Sequence, residues 1–492
     1  MLFNSYEFIL FFLPVTLLVF FRIGGQARHK LAMLWLVCCS LFFYAWWNPA
    51  YLGLILASIL FNYAVGIILG SHPEGRRKKT YLTLGIGCNL ALLAYYKYAG
   101  FFVENVNNLT GTSFNPGVIA LPLAISFFTF QQIAYLVDAY RSETREYNFL
   151  HYSLFVTFFP QLIAGPIVHH KEMLPQFGKN AIYRANDMHI AVGLTIFVIG
   201  LFKKVVMADG VAAYATPVFS AAEKGAALGF QDAWLGTLAY TLQLYFDFSG
   251  YSDMAIGLAR MFGIRLPLNF NSPYKAHNII EFWRRWHITL SRFLRDYLYI
   301  PLGGNRKGKL RRHVNLMVVM LLGGLWHGAG WTFVIWGALH GAYLIINHAW
   351  HTVKRLIGLK SGKTGNLGKN LSRAITFLAV AIAWVFFRSD SLAGATNMLS
   401  SMTGAGGIAG THIVPVDALY WIGALLAIAW LAPNTQQMMR RYKPALETYR
   451  GEIEPTRMEL AFSAGWAGLV SILAIYSLIH VSTAGEFLYF NF

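Results

Sequence analysis

Apolar runs long enough to cross a bilayer recur along almost the whole of this 492-residue chain, and no other feature narrows its fold so far. A spanning helix needs about 20 mostly apolar residues. Runs of that kind lie at 7–21, 31–47, 51–70, 81–98, 118–137, 151–168, 189–207, 233–262, 314–350, 371–388, 417–433 and 459–480, and 314–350 is long enough for two arms. Lipid offers no hydrogen bonds to a backbone, so such runs imply helices and an all-α polytopic membrane protein. Charged residues make up only 13% of the chain, about half the share of soluble domains. No soluble domain and no internal repeat emerges. The chain reads as one membrane domain over 1–492, with N-terminal helices in 1–117, a motif-bearing core in 118–390 and C-terminal helices in 391–492. Phe101–Gly117 reads as a polar loop and Ser361–Asn370 as a Gly/Lys-rich linker. Met1–Phe21 lacks a basic n-region and a small-residue cleavage site, so it reads as the first span and not as a signal peptide.

Lys and Arg number 40 against 22 acidic residues, and they cluster between the apolar runs. That is the pattern of positive-inside orientation, so the +18 balance argues for a membrane topology and against nucleic-acid binding. Arg22, Arg28 and Lys30 place the first loop inside, and Arg76, Arg77, Lys78 and Lys79 the third. Residues 260–312, 351–373 and 434–458 are basic, whereas 99–117, 389–416 and 481–492 contain neither Lys nor Arg. One solution satisfies all of these: both termini outside, ten spans, and two segments, 151–168 and 314–350, that return to the side they came from. Pro160 and Gly165-Pro166 break the first, and broken backbone at membrane depth belongs where protein buries it or it lines a cavity. In the second, the arm Val314–Trp326 has 13 residues and reaches about 20 Å, short of the ~30 Å hydrocarbon core, so His327 is expected inside the membrane. Lys203 and Lys204 fit poorly, near the outer end of their span; they line a water-filled path or the boundaries lie elsewhere.

Two histidines carry the chemical interest. In 279–297, Ile279, Phe282, Trp283, Trp286, Leu290, Phe293, Leu294 and Tyr297 recur at helical spacing on one face, with Arg284, Arg285, Arg292 and Arg295 on the other. This predicts one amphipathic helix in the cytoplasmic interface, with His287 at the boundary of its faces. Its cations either anchor it to anionic membrane lipid or also draw in an anionic cofactor such as coenzyme A. The glycines of 303–308 form no Walker pattern. His327 stands among Gly323, Gly324, Gly328 and Gly330, which let the backbone turn and a substrate approach. An intramembrane histidine is a functional candidate, and a neutral imidazole in an apolar site can take a proton from a hydroxyl as it attacks a thioester. The alternative is a structural histidine bonded between helices. His340 suits packing. His169 and His170 are expected at the cytoplasmic surface, without an acidic partner at metal-site spacing, so no metal is invoked. Asp247 and Asp253 either bind a substrate hydroxyl or glue neighbouring helices. Cys38, Cys39 and Cys88 read as small buried hydrophobes.

Longer stretches add a resemblance. QLYFDFSGYSDMAIG at 243–257, FWRRWHITLSRFLRDYLYIPLGGNR at 282–306 and GGLWHGAGWTFVIWGALHG at 323–341 resemble the membrane-bound O-acyltransferases, and within them the bacterial branch that acetylates polysaccharides such as alginate. FYAWWNP at 43–49, FPQLIAGPI at 159–167 and the terminal FLYFNF are similar to that branch too. The resemblance implies a bowl of about ten helices around a central tunnel in the bacterial inner membrane. Acetyl-CoA is then the donor, His327 the catalytic histidine, and His287 the second active-site position. Trp283, Arg284, Trp286, Trp326, Tyr251 and Asp253 become candidates for substrate binding. The branch hands its acetyl group to a separate extracytoplasmic SGNH/esterase-like transferase working with the polysaccharide synthesis machinery. No G-x-S-x-G elbow is present here, so a partner is implied. Two rivals stay open: an exporter of a lipid-linked glycan, and a D-alanyl-type acyltransferase supplied by an acyl carrier protein.

Overall fold

The computed structural model describes all residues except 118, 145, 147, 358–364, 408–412, 447–452, 482–484, 486 and 489–492. Residues 361–364 of the predicted linker 361–370 and 489–492 of the terminal FLYFNF therefore lie outside the described residues; from Asn366 the expected linker is already helix. The described chain is helical, with one isolated β-bridge, Pro267 to Leu446.

The chain divides into two compact units: Met1–Phe202 with Gly250–Leu268 and Thr435–Asn491, and Lys203–Ser249 with Asn269–Asn434. In chain order the first contains α1 (Glu7–Gly24), α2 (His29–Ala45), α3 (Ala50–Ser71), α4 (Arg76–Leu93), α5 (Ala99–Thr110), α6 (Ile125–Tyr140), α7 (Phe149–Thr157), α8 (Phe159–Leu162), α9 (His170–Phe177) and α10 (Asp187–Phe202). The second holds α11 (Asp209–Glu223), the first part of α12 (Phe230–Met261), α13 (Ile279–Arg285), α14 (Ile288–Leu294), α15 (Gly308–His327), α16 (Trp331–Leu356), α17 (Asn366–Arg388), α18 (Leu392–Met402) and α19 (Ala418–Leu431). The rest of α12, α20 (Thr435–Met438) and α21 (Ala464–His480) return to the first.

Among the described residues, four helical stretches are long and apolar enough to cross a membrane: Glu7–Gly24, Ala50–Ser71, Asp187–Glu223 and Asn366–Arg388. Their outward residues stay apolar, as at Phe11, 69% exposed, and Leu60, 56% exposed. Such side chains belong against lipid and not water.

Polar side chains knit the first unit. Asn62 and Asn89 exchange hydrogen bonds at 3.1 and 2.7 Å between α3 and α4, and Gln132 on α6 donates to Ser58 at 2.9 Å. Between helices without water these bonds hold position as well as energy. The predicted break in 151–168 is present: α7 stops at Phe158, and Pro160 opens the one-turn α8. The polar stretch after Phe101, expected as a loop, is helical to Thr110 before Gly111 caps it at φ +68°. Its Asn105 and Thr110 side chains bond to carbonyls four residues back and so remain compatible with the helix.

The second unit is built around the α15–α16 hairpin. A Cβ on Gly324 would fall 2.2 Å from the Phe333 carbonyl oxygen, and one on Gly337 would fall 2.4 Å from that of Met320. Gly324 and Gly337 let the two helices touch backbone to backbone. α15 also begins earlier than the apolar pattern implied. It has 20 residues and starts inside the basic segment, so it reaches about 30 Å and no longer argues by shortness for the depth of His327.

Candidate functional site

Four helices of the second unit and the extended segment before α13 converge on His287 and His327. The sequence predicted one helix through 279–297. The structure instead has two seven-residue helices, α13 and α14, with Trp286 extended and His287 left-handed at φ 42°. The segment 269–271 causes the break. The Asn271 N–H donates to the Arg285 carbonyl at 3.0 Å, and the Ile288 N–H donates to the Asn269 carbonyl at 3.0 Å. Those backbone groups are taken from the helix ladder, and His287 turns inward, fully buried. A left-handed histidine costs about 1–3 kcal/mol and persists only where its surroundings over-determine it, a pattern that clusters at working sites.

Asn269 also sets the chemistry of this ring. Its Oδ1 accepts from the Thr289 N–H at 3.3 Å, from the Thr289 hydroxyl at 3.0 Å, and contacts His287 Nδ1 at 3.1 Å. A backbone N–H only donates, so the amide atom is the oxygen and His287 Nδ1 must carry the proton. In the neutral imidazole, Nε2 is then the basic nitrogen. Sequence reasoning missed Asn269; its signal is a polar residue inside the otherwise apolar LPLNF run, 18 residues before the histidine it orients.

His327 closes α15, and its ring centroid lies 6.4 Å from that of His287. The enclosure is aromatic. Trp326 sits 6.2 Å from His287 and Phe248 4.8 Å; Trp336 and Phe387 stand edge-on to His327 at 5.2 and 5.1 Å. Gly328 has no room for a Cβ, because the Phe333 ring lies 2.1 Å from where it would be. Water is kept from both rings, which are 0% and 3% exposed.

Trp283 extends the cluster to Trp336 at 5.9 Å, and Trp286 packs 5.0 Å from Trp384. His340 is buried as well, 4.8 Å from Trp336 and 5.1 Å from Trp283, and neither ring nitrogen has a hydrogen-bond partner among the described residues. Arg284 is exposed on the opposite side, and Arg285 pairs with Glu281 at 2.9 Å, so part of the cationic face is neutralised. Tyr251 and Asp253 belong to the first unit. Tyr251 stacks on Phe3 at 4.9 Å, and Asp253 accepts from the Thr435 hydroxyl at 2.6 Å, so each has a packing or bonding role there.

Two other expectations change. Lys204 is 1% exposed and bonds Asp209 at 2.7 Å and Asp247 at 2.8 Å, so it lines no open path and Asp247 serves this cation. His169 and His170 are buried and do have acidic partners: Asp138 lies 3.5 Å from His169, Glu146 lies 3.3 Å from His170, and the Thr144 hydroxyl sits 2.6 Å from the second His170 nitrogen. Those partners stand more than twenty residues away along the chain, outside any metal-motif spacing. Among the described residues no trio of His, Cys, Asp or Glu is placed to hold a metal.

A pair of buried histidines in an aromatic chamber suits acyl transfer, and comparison with known proteins identifies that class. Residues 31–387 match the membrane-bound O-acyltransferase family. The chain is 48% identical over 439 residues to the peptidoglycan O-acetyltransferase of Helicobacter pylori, covering 84% of this chain and 82% of that one. It is 39% identical over an alignment of 507 residues to the probable alginate O-acetylase AlgI of Pseudomonas putida, across 100% of both chains. Identity to the protein of the same name from Pseudomonas aeruginosa is 44% over 409 residues, 82% of this chain and 75% of that one. The chain therefore belongs to the membrane-bound O-acyltransferase family, in its bacterial polysaccharide O-acetyltransferase branch, and is a multi-pass membrane acyltransferase.

Proposed function

We propose that this enzyme carries acetyl groups from cytoplasmic acetyl-CoA across the bacterial inner membrane for O-acetylation of an extracytoplasmic polysaccharide. The observation that carries the reading is the 6.4 Å pairing of two buried histidines, one of them oriented by Asn269, in a chain whose relatives bear O-acetylase and O-acetyltransferase names. Ten spans, with 151–168 and 314–350 returning to their own side, would form the bowl and its tunnel.

In the proposed reaction His327 is the general base. It takes the proton of the acceptor hydroxyl as that oxygen attacks the thioester carbonyl. Collapse of the tetrahedral intermediate breaks the carbon–sulfur bond, and the proton passes to the leaving thiolate, so the histidine ends neutral. His287 presents Nε2 as an acceptor and orients the incoming hydroxyl. Polarising the thioester carbonyl from that nitrogen would need a second proton on the ring. Trp283, Trp286 and Trp326 wall the chamber, and a dry chamber protects a hydrolysable donor. Arg284 lies on the exposed face, where it suits attraction of an anionic donor. Delivery to the polymer is assigned to an extracytoplasmic esterase-like partner, as the family resemblance implies.

The test uses a strain lacking this gene, complemented with wild type or His327→Ala. Alkali-labile acetate is measured in separated exopolysaccharide and cell-wall fractions. Wild type should restore acetate to one fraction and the variant to none, at equal membrane abundance. Restoration by the variant would sink the assignment of the base.

A further inference from the structure

Away from the histidine chamber, the start of α13, the second half of α16 and the first half of α17 line an open cavity of about 300 Å³. Its wall and its rim differ in kind. The wall offers uncharged acceptors. Asn347 Oδ1 is buried and has no hydrogen-bond partner among the described residues. His277 Nδ1 lies 3.2 Å from the Lys369 carbonyl, which only accepts, so Nδ1 holds a proton and in the neutral ring Nε2 is an acceptor. Thr376 spends its proton on the Ser372 carbonyl at 2.8 Å and keeps its oxygen as an acceptor. No formally charged side chain lines the cavity. The rim is apolar and faces outward: Ile346, Trp350 and Ile375 are 64%, 51% and 59% exposed. Beside it, the Lys354 ammonium lies over the Trp350 ring at 5.2 Å. Tryptophan and lysine at the end of a membrane helix mark the depth of lipid headgroups.

We propose that this cavity binds a phospholipid with hydroxyl groups on its headgroup, of the phosphatidylglycerol type. The hydroxyls donate to Asn347, His277 and Thr376, the phosphate meets Lys354, and the acyl chains run outward over Ile346 and Ile375. A buried acceptor left without a donor is costly, which gives Asn347 a reason to select donors. A choline headgroup, with no donor, leaves it unsatisfied.

The test takes the full-length protein in nanodiscs of phosphatidylglycerol or phosphatidylcholine. Retained lipid is counted by native mass spectrometry after extraction, and the melting temperature is measured in each lipid. Wild type should retain phosphatidylglycerol and melt higher in it. Asn347→Leu should weaken that retention about three- to tenfold, the effect of one hydrogen bond, and Lys354→Gln should weaken it by removing the phosphate contact. Equal behaviour in the two lipids, or variants that keep the full preference while folded, overturns the proposal. So does an Asn347→Leu protein that retains lipid normally but binds coenzyme A more weakly, because the cavity would then serve the thioester donor.

Discussion

Two groups of buried histidines can be set side by side. In the first unit, His169 faces Asp138, and His170 is held by Glu146 and Thr144. In the second, His287 and His327 face each other amid Trp326, Trp336, Phe248 and Phe387, and His287 bonds an amide oxygen, that of Asn269. A carboxylate beside an imidazole pairs with it and fixes the two as a structural unit. An aromatic enclosure with an amide partner orients the ring without adding charge, which suits the base proposed for this site. Burial alone does not separate the proposed catalytic histidines from the other pair; the partner is what differs.

The sharpest way to break this comparison is to remove one ring from each group. His327→Ala should lower acetyl transfer by about 10²–10⁴-fold, the usual contribution of a general base, with membrane insertion unchanged. His170→Ala should do the reverse. It strands Glu146 and Thr144 and costs about 1–2 kcal/mol of stability, read as a lower melting temperature, with turnover per folded molecule within about twofold of wild type. Burial acts to raise the Glu146 carboxyl, but hydrogen bonds from His170 and Asn148 and the charges of His151 and His170 outweigh it and hold the group below its ordinary range. A depressed carboxyl stabilises above its unfolded value near 4.3, and the gain is lost as pH falls through the folded value. In the wild type the melting temperature should therefore fall on acidification below that point, and less steeply in His170→Ala. Equal loss of transfer in both variants would end the distinction.

A second pair of predictions sharpens it. Lys204→Met leaves Asp209 and Asp247 facing each other without their cation, and breaking a buried pair from one side costs about 3–5 kcal/mol. The protein should be recovered in much lower yield from membranes. Asn269→Leu removes the oxygen that holds His287 Nδ1. It should lower turnover about 10-fold or more at nearly unchanged donor KM, and Asn269→Asp should recover part of it by restoring an acceptor. Recovery by Asn269→Ser to the same degree would point to space and not to hydrogen bonding.

Much of this was legible in the residues, and what was not has a physical cause. The apolar runs at 51–70 and 371–388 became α3 and α17, because hydropathy and length are local properties. The break at Phe158–Pro160 followed from proline. The single helix over 279–297 was misread, because two short helices in phase leave the same apolar stripe as one long helix. Only the hydrogen bonds taken by residues 269–271 reveal the interruption. The start of α15 was misjudged for the opposite reason: Lys309, Arg311 and Arg312 are helical but not apolar. Lys204 and Asp247 each stand out alone in the sequence, yet their pairing spans 43 positions, and periodicity carries no signal at that range.

His340 gives the smallest expected effect and the finest test of what a buried histidine needs. It sits in the same aromatic cluster as His327, through Trp336, yet neither of its nitrogens has a hydrogen-bond partner among the described residues. Packing alone would accept any flat ring there. His340→Phe keeps the contacts with Trp283, Trp336 and Phe282 and removes two desolvated polar atoms. It should therefore leave the melting temperature equal or higher, and turnover within about threefold, since replacing unsatisfied polar groups by apolar ones of similar shape is near neutral or stabilising. A loss as deep as that of His327→Ala, in a protein that still melts normally, would place His340 beside the other two histidines. The proposed catalytic pair would then gain a third ring, reached through Trp336, and the hydrogen-bond partner would no longer suffice to tell the two kinds of histidine apart.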